Sequence, residues 1–180
     1  DQKAPQNLVT AARQLLADLP HLHLLMIGEG PKRQFLEAQM ERAGLSNRAT
    51  WLGAVNARTY MPAMDIFALP SLYEGFAYVL IEALYAGLPI VSTPVGGSHE
   101  SITPGLNGLI VSHGSADEIA NAIRALVGDA GLRRRMGEAS RVRAEHFSIP
   151  RMVDSIEDSY ARILMPPELA MSRMSDAVSA

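Results

Sequence analysis

The feature that most constrains the fold is the stretch 69–89, in which a buried strand, a glycine loop and an apolar helix follow one another. The apolar run 66–69 is closed by a proline, which is typical of a strand that is buried on both faces. Beyond the loop, apolar residues recur at helical spacing from about Tyr78, and Gly87 predicts the end of this helix. The apolar run 90–93 predicts the next strand, so this part of the chain must pack a helix against a sheet.

The same alternation extends over most of the chain. The predicted strands are 22–27, 49–52, 66–69, 90–93 and 108–111, and the predicted helices are 5–19, 31–43, 57–64, 78–86, 115–128, 130–146 and 150–164. Strands that alternate with helices predict a parallel sheet with helices on both faces. The fold class is therefore α/β, a doubly wound, Rossmann-like parallel sheet. We expect one domain over residues 1–165 and a C-terminal tail over 166–180.

The composition restricts the class of function. A hydrophobic fraction of 48% with 19% charged residues is ordinary for a globular protein. The net charge of −3 gives no basic face, so no nucleic-acid partner is expected. The absence of cysteine excludes disulfides and thiol catalysis. No apolar run is long enough to span a bilayer, so no transmembrane segment is expected.

The loop before the central helix is a candidate anion site. The residues around the helix start, Gly75 to Tyr78, include no side chain that commonly caps exposed backbone N–H groups. Free N–H groups and the helix dipole together attract anions such as phosphate, so these donors need either a ligand or water. The alternative is that Gly75 is a sufficient cap and water does the rest.

Two acids flank this helix start. Glu74 lies in the loop, whereas Glu82 falls about one turn inside the helix, so the two carboxylates are separated along the helix axis. Glu82 has the apolar neighbours Ile81 and Ala83, and burying an unpaired carboxylate is costly, so we expect it to have a hydrogen-bonding partner. The plainer alternative is a solvated helix residue.

A second glycine turn, residues 28–31, follows the predicted strand 22–27. It begins like a dinucleotide-binding fingerprint, but Arg33 stands where the third glycine should be. No clean strand with an acidic end follows about 20 residues later, as that fingerprint requires. An oxidoreductase dinucleotide domain is therefore disfavoured.

Several shorter signals predict local structure. Asn56 is expected to cap a short helix, and Ser115 with Glu118 predicts a capping box. Gly96 and Gly97 allow the backbone to approach another group closely.

Two clusters of polar residues have plain explanations. His21 and His23 would face the same side of a strand but lack a third ligand, so no metal site is expected. The arginine run 133–135 is typical of a solvated helix face.

Taken together, the motifs resemble those of the retaining glycosyltransferases of the group 1 superfamily, whose two-domain fold is called GT-B. The matching pieces are 28–31, 51–53, 65–71, 74–76 with Glu82, 86–89, 96–97 with Glu100, and 107–109. They follow the family's order and spacing over about residues 3–148, which makes the set far more specific than the acid pair alone. The resemblance covers only the C-terminal, donor-binding half of that fold.

The resemblance implies a reaction and a set of residues. The family transfers a sugar from a nucleotide diphosphate sugar to an acceptor hydroxyl with retention of anomeric configuration. By resemblance Lys3 would bind the diphosphate, Glu82 the ribose hydroxyls and Glu74 a hydroxyl of the donor sugar, which makes Lys3 and Glu74 the candidate catalytic residues. The candidate donor-binding residues are Gly28, Glu29, Gly30, Pro31, Val55, Gly75, Phe76, Ala77, Tyr78, Val79 and Glu82, with His99 as a further candidate contact. No cofactor or metal ion is expected, because cationic side chains and the helix dipole take that role.

The resemblance also sets limits. The N-terminal acceptor domain and the arginine partner of Lys3 have no counterpart here, so we expect a domain fragment that binds donor weakly and transfers no sugar alone. Ala77 and Tyr85 stand where the family often has glycine and a smaller residue, respectively. The implied location is cytoplasmic, with peripheral membrane association through the N-terminal domain as an option. The remaining alternative is a non-catalytic nucleotide-binding or regulatory module on the same fold.

Overall fold

Short parallel strands joined by helices form the structure, a computed structural model in which residues 2–164 are described. The strands are β1 (Leu24–Met26), β2 (Ala49–Trp51), β3 (Phe67–Leu69), β4 (Ile90–Ser92) and β5 (Gly108–Ile110). The helices are α1 (Pro5–Asp18), α2 (Arg33–Arg42), α3 (Ala57–Tyr60), α4 (Tyr78–Ala86), α5 (Ser98–Ser101), α6 (Ala116–Gly128), α7 (Ala130–Ala144) and α8 (Ile149–Leu164). Short 3₁₀ helices cover Ser46–Arg48, Met61–Ala63 and Glu145–Phe147. The predicted α/β class is confirmed, and nearly all element ends lie within two residues of the predicted ones, which is the usual uncertainty of helix and strand ends.

The strands pair in two parallel groups. β1 pairs with β2, and β3, β4 and β5 pair in that order, with Phe67 opposite Ile90 and Ile90 opposite Gly108. Among the described residues, hydrogen bonds therefore divide the strands of the predicted parallel sheet into two groups. An apolar run indicates that a strand is buried, but it does not specify which neighbour the strand pairs with.

Helix α1 lies between two hydrophobic clusters. One of its faces packs with α6 and α7, and the adjacent face packs with Leu36 and Met40 of α2. Leu24 and Met26 of β1 contact both clusters, whereas Val91 of β4 belongs to the first. The two groups of strands therefore share one apolar interior although they are not hydrogen-bonded to each other.

The predicted ends of the central helix are confirmed. Helix α4 begins at Tyr78 and ends at Ala86, and Gly87 follows in the left-handed conformation with φ 71°. At α3, the Asn56 side chain accepts a hydrogen bond from the Arg58 N–H at 3.2 Å, as a capping residue should. These local signals depend on a few neighbouring residues, which is why the sequence predicts them well.

The predicted capping box at α6 forms only in part. Ser115 Oγ accepts from the Glu118 N–H at 3.2 Å, which is the expected cap. The Glu118 carboxylate, however, accepts from the Ser112 N–H at 2.7 Å instead of from Ser115, whose own N–H donates to Ser112 O. The Ser115 N–H is satisfied within the preceding turn, so the Glu118 carboxylate accepts from the Ser112 N–H, three residues nearer the N-terminus.

The arginine run 133–135 is not entirely a solvated face. Arg133 is half-buried and donates through Nη1 to the carbonyls of Leu126 and Val127 at 2.6 and 2.8 Å. It therefore satisfies carbonyl groups at the C-terminus of α6, where a cation is favoured by the helix dipole. Arg134 and Arg135 are exposed, as predicted.

The chain divides into two compact units, residues 1–144 and 145–180. In the second unit, α8 has no buried residue, and its apolar side chains, among them Ile149, Ile156 and Ile163, are exposed. The predicted boundary at residue 165 stays a prediction, and the predicted tail 166–180 lies outside the described residues. Among residues 2–164, no helix has both the length and the apolar composition needed to cross a membrane.

Candidate functional site

Glu74 is a buried carboxylate with defined partners. It lies in the loop between β3 and α4, and 8% of its side chain is exposed. Lys3 Nζ donates to both carboxylate oxygens, at 2.8 and 2.9 Å. Ser71 Oγ, which is fully buried, donates to Oε1 at 2.7 Å. An ammonium group and a hydroxyl therefore fix the orientation of this carboxylate.

The loop that carries Glu74 is tied to the segment that follows β4. The Thr93 N–H donates to Leu69 O at 3.1 Å, and Thr93 Oγ1 donates to Ser71 O. Thr93 and Ser71 are both fully buried. The hydroxyl of Thr93 thus fixes the backbone of Ser71, and the hydroxyl of Ser71 in turn orients Glu74.

Gly96 makes the closest approach to this loop. A Cβ atom at this position would lie 2.1 Å from Gly75 O and 2.6 Å from Glu74 O, so only glycine fits without a shift of the backbone. The Gly96 carbonyl accepts from the Ala77 N–H at 2.9 Å. The prediction that these glycines permit a close backbone approach is confirmed, and the backbone they approach is that of the Glu74 loop.

The start of α4 keeps part of its hydrogen-bonding capacity free. No side chain caps it, as predicted, but the expectation that all of its donors need water or a ligand is wrong for two of them. The Ala77 N–H donates to a carbonyl of the following glycine loop, and the Tyr78 N–H donates to Phe76 O at 3.0 Å. For the N–H groups of Gly75, Phe76 and Val79, no acceptor is found among the described residues. These three donors and the dipole of α4 can interact with an anion.

Glu82 has the partner that the sequence predicts. Its side chain is 23% exposed, and Arg58 Nε, from α3, donates to Oε1 at 2.9 Å. Oε2 receives no hydrogen bond from any described residue. The carboxylate is therefore held at one oxygen, while the other can accept hydrogen bonds from a bound hydroxyl.

The turn 28–31 follows β1 and packs against the loop after β2. The N–H of its first glycine donates to Gly53 O at 2.8 Å. Arg33 donates to Glu29 Oε1 at 2.5 Å and to Glu37 Oε1 at 2.8 Å. The hydrogen bond to Glu37 is the main cause that raises the pKa of the Arg33 guanidinium, and the charge of Glu29 adds to it. Arg33, which stands where a dinucleotide fingerprint has its third glycine, therefore stabilises this turn through its ion pair with Glu29.

Contacts at the start of α1 connect the pieces of the predicted site. Lys3 binds Glu74, and Lys32, next to the turn 28–31, donates to Gln6 Oε1 at 3.3 Å. Lys3 lies two residues before the first residue of α1 and Gln6 is its second residue, so the start of this helix contacts both the Glu74 loop and the residue after the glycine turn. The other predicted contacts, Val55 and His99, are exposed, and among the described residues neither side chain forms a hydrogen bond or ion pair with Glu74 or Glu82.

Two residues of this constellation were not predicted from the sequence. Ser71 belongs to the motif 65–71, and its place three residues before Glu74 in a loop is a weak signal for a hydrogen bond between them. Arg58 lies 24 positions before Glu82, and nothing in the local sequence indicates the contact. Tertiary packing alone brings these two side chains together.

Two surface cavities have linings that include neither Glu74 nor Glu82. One of about 240 Å³ is lined by residues that include Trp51, Glu37 and Glu41, and one of about 330 Å³ is lined by Asp65 and by residues of α7. The candidate site is therefore defined by the hydrogen bonds of these two carboxylates and not by a cavity. Within residues 2–164, no three His, Cys, Asp or Glu side chains are grouped as metal ligands would be.

A family model described as glycosyl transferases group 1 matches residues 1–143 of the chain. The sequence is 34% identical over 172 residues to the D-inositol 3-phosphate glycosyltransferase of Nocardia farcinica. This match covers 90% of the chain and 38% of the relative. The chain therefore spans less than half of that protein.

Solved structures show the same fold. HepE of Anabaena in complex with UDP is 25% identical, with a TM-score of 0.81, and the match covers 89% of this chain and 46% of that one. The C-terminal domain of the group 1 glycosyl transferase LpcC of Francisella tularensis is 26% identical, with a TM-score of 0.77. Here the match covers 82% of this chain and 81% of that domain.

Proposed function

Because the chain belongs to the group 1 glycosyl transferases, we propose that it is the nucleotide-sugar-binding part of a retaining glycosyltransferase. The observation that carries the proposal is the buried Glu74 carboxylate, held by Lys3 and Ser71 beside a helix start with free N–H donors. The complex of HepE with UDP supports a nucleoside diphosphate as the ligand. The whole enzyme would transfer a sugar to an acceptor hydroxyl.

The proposed roles follow from the charge of each group. The bond between the anomeric carbon and the diphosphate breaks, and negative charge develops on the phosphate oxygens. Lys3 and the N–H groups of Gly75, Phe76 and Val79 would stabilise that charge. The Lys3 ammonium uses two hydrogens on Glu74 and has a third for a phosphate oxygen. We assign no metal ion to this step, because the ammonium group and the helix start supply the positive potential.

The two carboxylates would bind hydroxyl groups. Glu82 would accept hydrogen bonds from the ribose through Oε2, the oxygen that Arg58 leaves free. Glu74 would accept from a hydroxyl of the donor sugar near the reacting carbon, and we do not assign it the role of nucleophile. A new bond to the acceptor oxygen would form on the face that the leaving group vacates, which retains the anomeric configuration. The acceptor hydroxyl would give its proton to the departing diphosphate oxygen in that step.

Residues 1–180 alone are expected to bind the donor without transferring sugar. The acceptor-binding half of the GT-B fold, to which the family resemblance assigns the acceptor, has no counterpart in these residues. We further propose that the protein acts in the cytoplasm, and a chain that relies on no disulfide fits that reducing compartment.

A thermal-shift screen of the 180-residue chain tests the proposal. The ligands are UDP-, GDP- and ADP-sugars and the matching nucleoside diphosphates, with NAD as the control. One nucleotide sugar is expected to raise the melting temperature selectively, since a ligand at a hundred times its dissociation constant adds about 2.7 kcal/mol. Stabilisation by NAD alone would contradict the proposal. Equal stabilisation by a nucleoside diphosphate and its sugar derivative would favour the non-catalytic nucleotide-binding module.

Glu82→Gln tests the assignment of the ribose site. The variant should bind the nucleotide more weakly by about 1.5–3 kcal/mol, the worth of a hydrogen bond to a charged group, and its stability should hardly change. The control is Arg124→Gln, which removes a distant exposed ion pair with Asp18. Normal binding by Glu82→Gln together with early melting would show that Glu82 is structural.

A further inference from the structure

Most of the acceptor capacity of the Glu74 carboxylate is used by the described residues. A carboxylate has two oxygens and about four lone-pair positions that can accept hydrogen bonds. Oε1 accepts from Lys3 Nζ at 2.8 Å and from Ser71 Oγ at 2.7 Å, whereas Oε2 accepts from Lys3 Nζ alone, at 2.9 Å. Oε1 is therefore saturated, and one acceptor position remains open, on Oε2.

Lys3 contacts the two oxygens of this carboxylate alike. Because the two contacts are nearly equal in length, Lys3 alone would leave one open acceptor position on each oxygen. The neighbours of Lys3 tie it to the same loop and to α1. The Leu72 N–H donates to Gln2 O at 2.8 Å, and Ala4 leads into α1 with a left-handed backbone of φ 41°, which its Cβ atom disfavours. Lys3 thus holds the carboxylate without distinguishing its oxygens.

Ser71 closes one of these two positions, and buried backbone fixes its place. The side chain is fully buried and lies two residues after the end of β3. The Thr93 N–H donates to Leu69 O at 3.1 Å, and Thr93 Oγ1 donates to the carbonyl of Ser71. A serine hydroxyl has one proton to donate, and that of Ser71 is used on Oε1. The sheet therefore determines which oxygen of the carboxylate is closed.

We propose that Ser71 is a specificity-determining residue, which limits Glu74 to one hydroxyl of the donor sugar. This inference rests on the proposed function, in which Glu74 accepts a hydrogen bond from that sugar. Ser71 is fully buried and acts through Glu74. With Oε1 closed, a sugar whose hydroxyl is missing or misplaced leaves a nearly buried carboxylate oxygen without its partner. Without Ser71, a second hydroxyl could donate to Oε1, and the discrimination would fall.

Deoxy sugars test the number of hydroxyl contacts. The probe is UDP-glucose, with which HepE has also been solved, and each of its monodeoxy derivatives lacks one hydroxyl of the glucose. Calorimetric titration of the 180-residue chain gives the loss of affinity for each derivative. For one derivative the loss should be about tenfold or more, the effect of a hydrogen bond to a charged group, and should disappear in Glu74→Ala. Two derivatives with losses that depend on Glu74 would overturn the proposal.

Ser71→Ala tests the role of the hydroxyl. Here the loss for the Glu74-dependent derivative should fall to about threefold or less, because a neighbouring hydroxyl can donate to Oε1 and keep part of the interaction. Ser71→Cys, a weaker donor of similar size, should give an intermediate loss. Ser98→Ala removes another fully buried hydroxyl and should keep the wild-type loss. If Ser71 only stabilised the loop, UDP-glucose and all derivatives would bind more weakly by the same factor, and that result would overturn the proposal.

Urea unfolding tests the contact without a ligand. Ser71→Ala should raise the unfolding constant by about tenfold or more in the wild-type background, because the carboxylate loses a donor. In Glu74→Ala the serine has no acceptor, so the same substitution should not raise it. Equal rises in both backgrounds would overturn the proposal.

The two measurements separate this inference from the proposed function. A failure of UDP-glucose to bind would count against the proposed function for this sugar. Binding in which no loss depends on Glu74 would leave nucleotide binding intact and overturn the role of Ser71 in specificity. In either case the urea cycle decides whether Ser71 acts on Glu74.

Discussion

Ser71 and Ser98 are both fully buried serines, yet their hydroxyl groups differ in their surroundings. Ser71 Oγ donates to the Glu74 carboxylate, whereas Ser98 Oγ has no partner among the described residues. A hydrogen bond to a charged group contributes more than a neutral one, and a buried polar group without a partner costs free energy. The same substitution should therefore have opposite effects at the two positions.

Ser71→Ala is expected to lower the free energy of unfolding by about 1.5–3 kcal/mol, because the buried carboxylate loses one of its two donors. Urea unfolding at neutral pH measures it. Ser98→Ala is the matched control and should be neutral or stabilising by about 1 kcal/mol, since it removes an unpaired hydroxyl. Equal losses at both positions would show that the volume of the serine, and not its hydrogen bond, matters.

Individual residues differ in how far the sequence could predict their roles. The spacing of Glu74 and Glu82 around a glycine loop predicts that they are separated along the helix, and their proposed roles come from the family resemblance. The need of Glu82 for a partner followed from its apolar neighbours. The identity of that partner, Arg58, depends on tertiary packing between α3 and α4. The strain at Ala4 could not be predicted, because alanine carries no local signal for a left-handed backbone.

At the level of elements, the loops after β3 and β4 meet where Gly96 touches the Gly75 carbonyl. The backbones of the two loops are so close that a Cβ atom at position 96 would overlap the Gly75 carbonyl. The free N–H groups of the α4 start and the Glu74 carboxylate both depend on this contact. The two loops therefore have to be considered as one structural unit.

Gly96→Ala is expected to destabilise the domain by about 1–3 kcal/mol or more, since overpacking forces the backbone to move. The control is Gly128→Ala at the end of α6, where a Cβ atom meets nothing within 4 Å. It should be neutral or stabilising by up to about 1 kcal/mol, the difference in helix propensity. Denaturant unfolding of both variants is the measurement, and a Gly96→Ala variant as stable as Gly128→Ala would contradict this description of the loops.

Elements were predicted well where the signals were local and less well where they were not. The start and end of α4 follow from the order of apolar residues and glycines, and the cap of α3 follows from Asn56. The division of the strands into two paired groups could not be predicted, because apolar runs carry no information on pairing. The incomplete capping box at α6 depends on the preceding turn, which the motif does not include.

For the whole molecule, the first unit contains the two hydrophobic clusters described above. All of their members lie within residues 8–136, and the family match ends at residue 143. Helix α8, in the second unit, contributes no buried residue. The first unit therefore has its own hydrophobic core, as an independently folding domain requires.

A chain shortened to residues 1–144 is expected to fold cooperatively. Its free energy of unfolding should lie within about 0.5 kcal/mol of that of the 180-residue chain, the usual range for changes away from a core. Circular dichroism in urea, with the full chain as the control, measures this difference. A non-cooperative transition would show that residues 145–180 contribute to the stability of the first unit.

The backbone of Ala4 has a consequence for protein engineering. Selection for thermal stability commonly accepts substitutions that relieve unfavourable backbone angles, and Ala4→Gly is such a substitution. A library screened for heat resistance alone is therefore expected to enrich glycine at position 4.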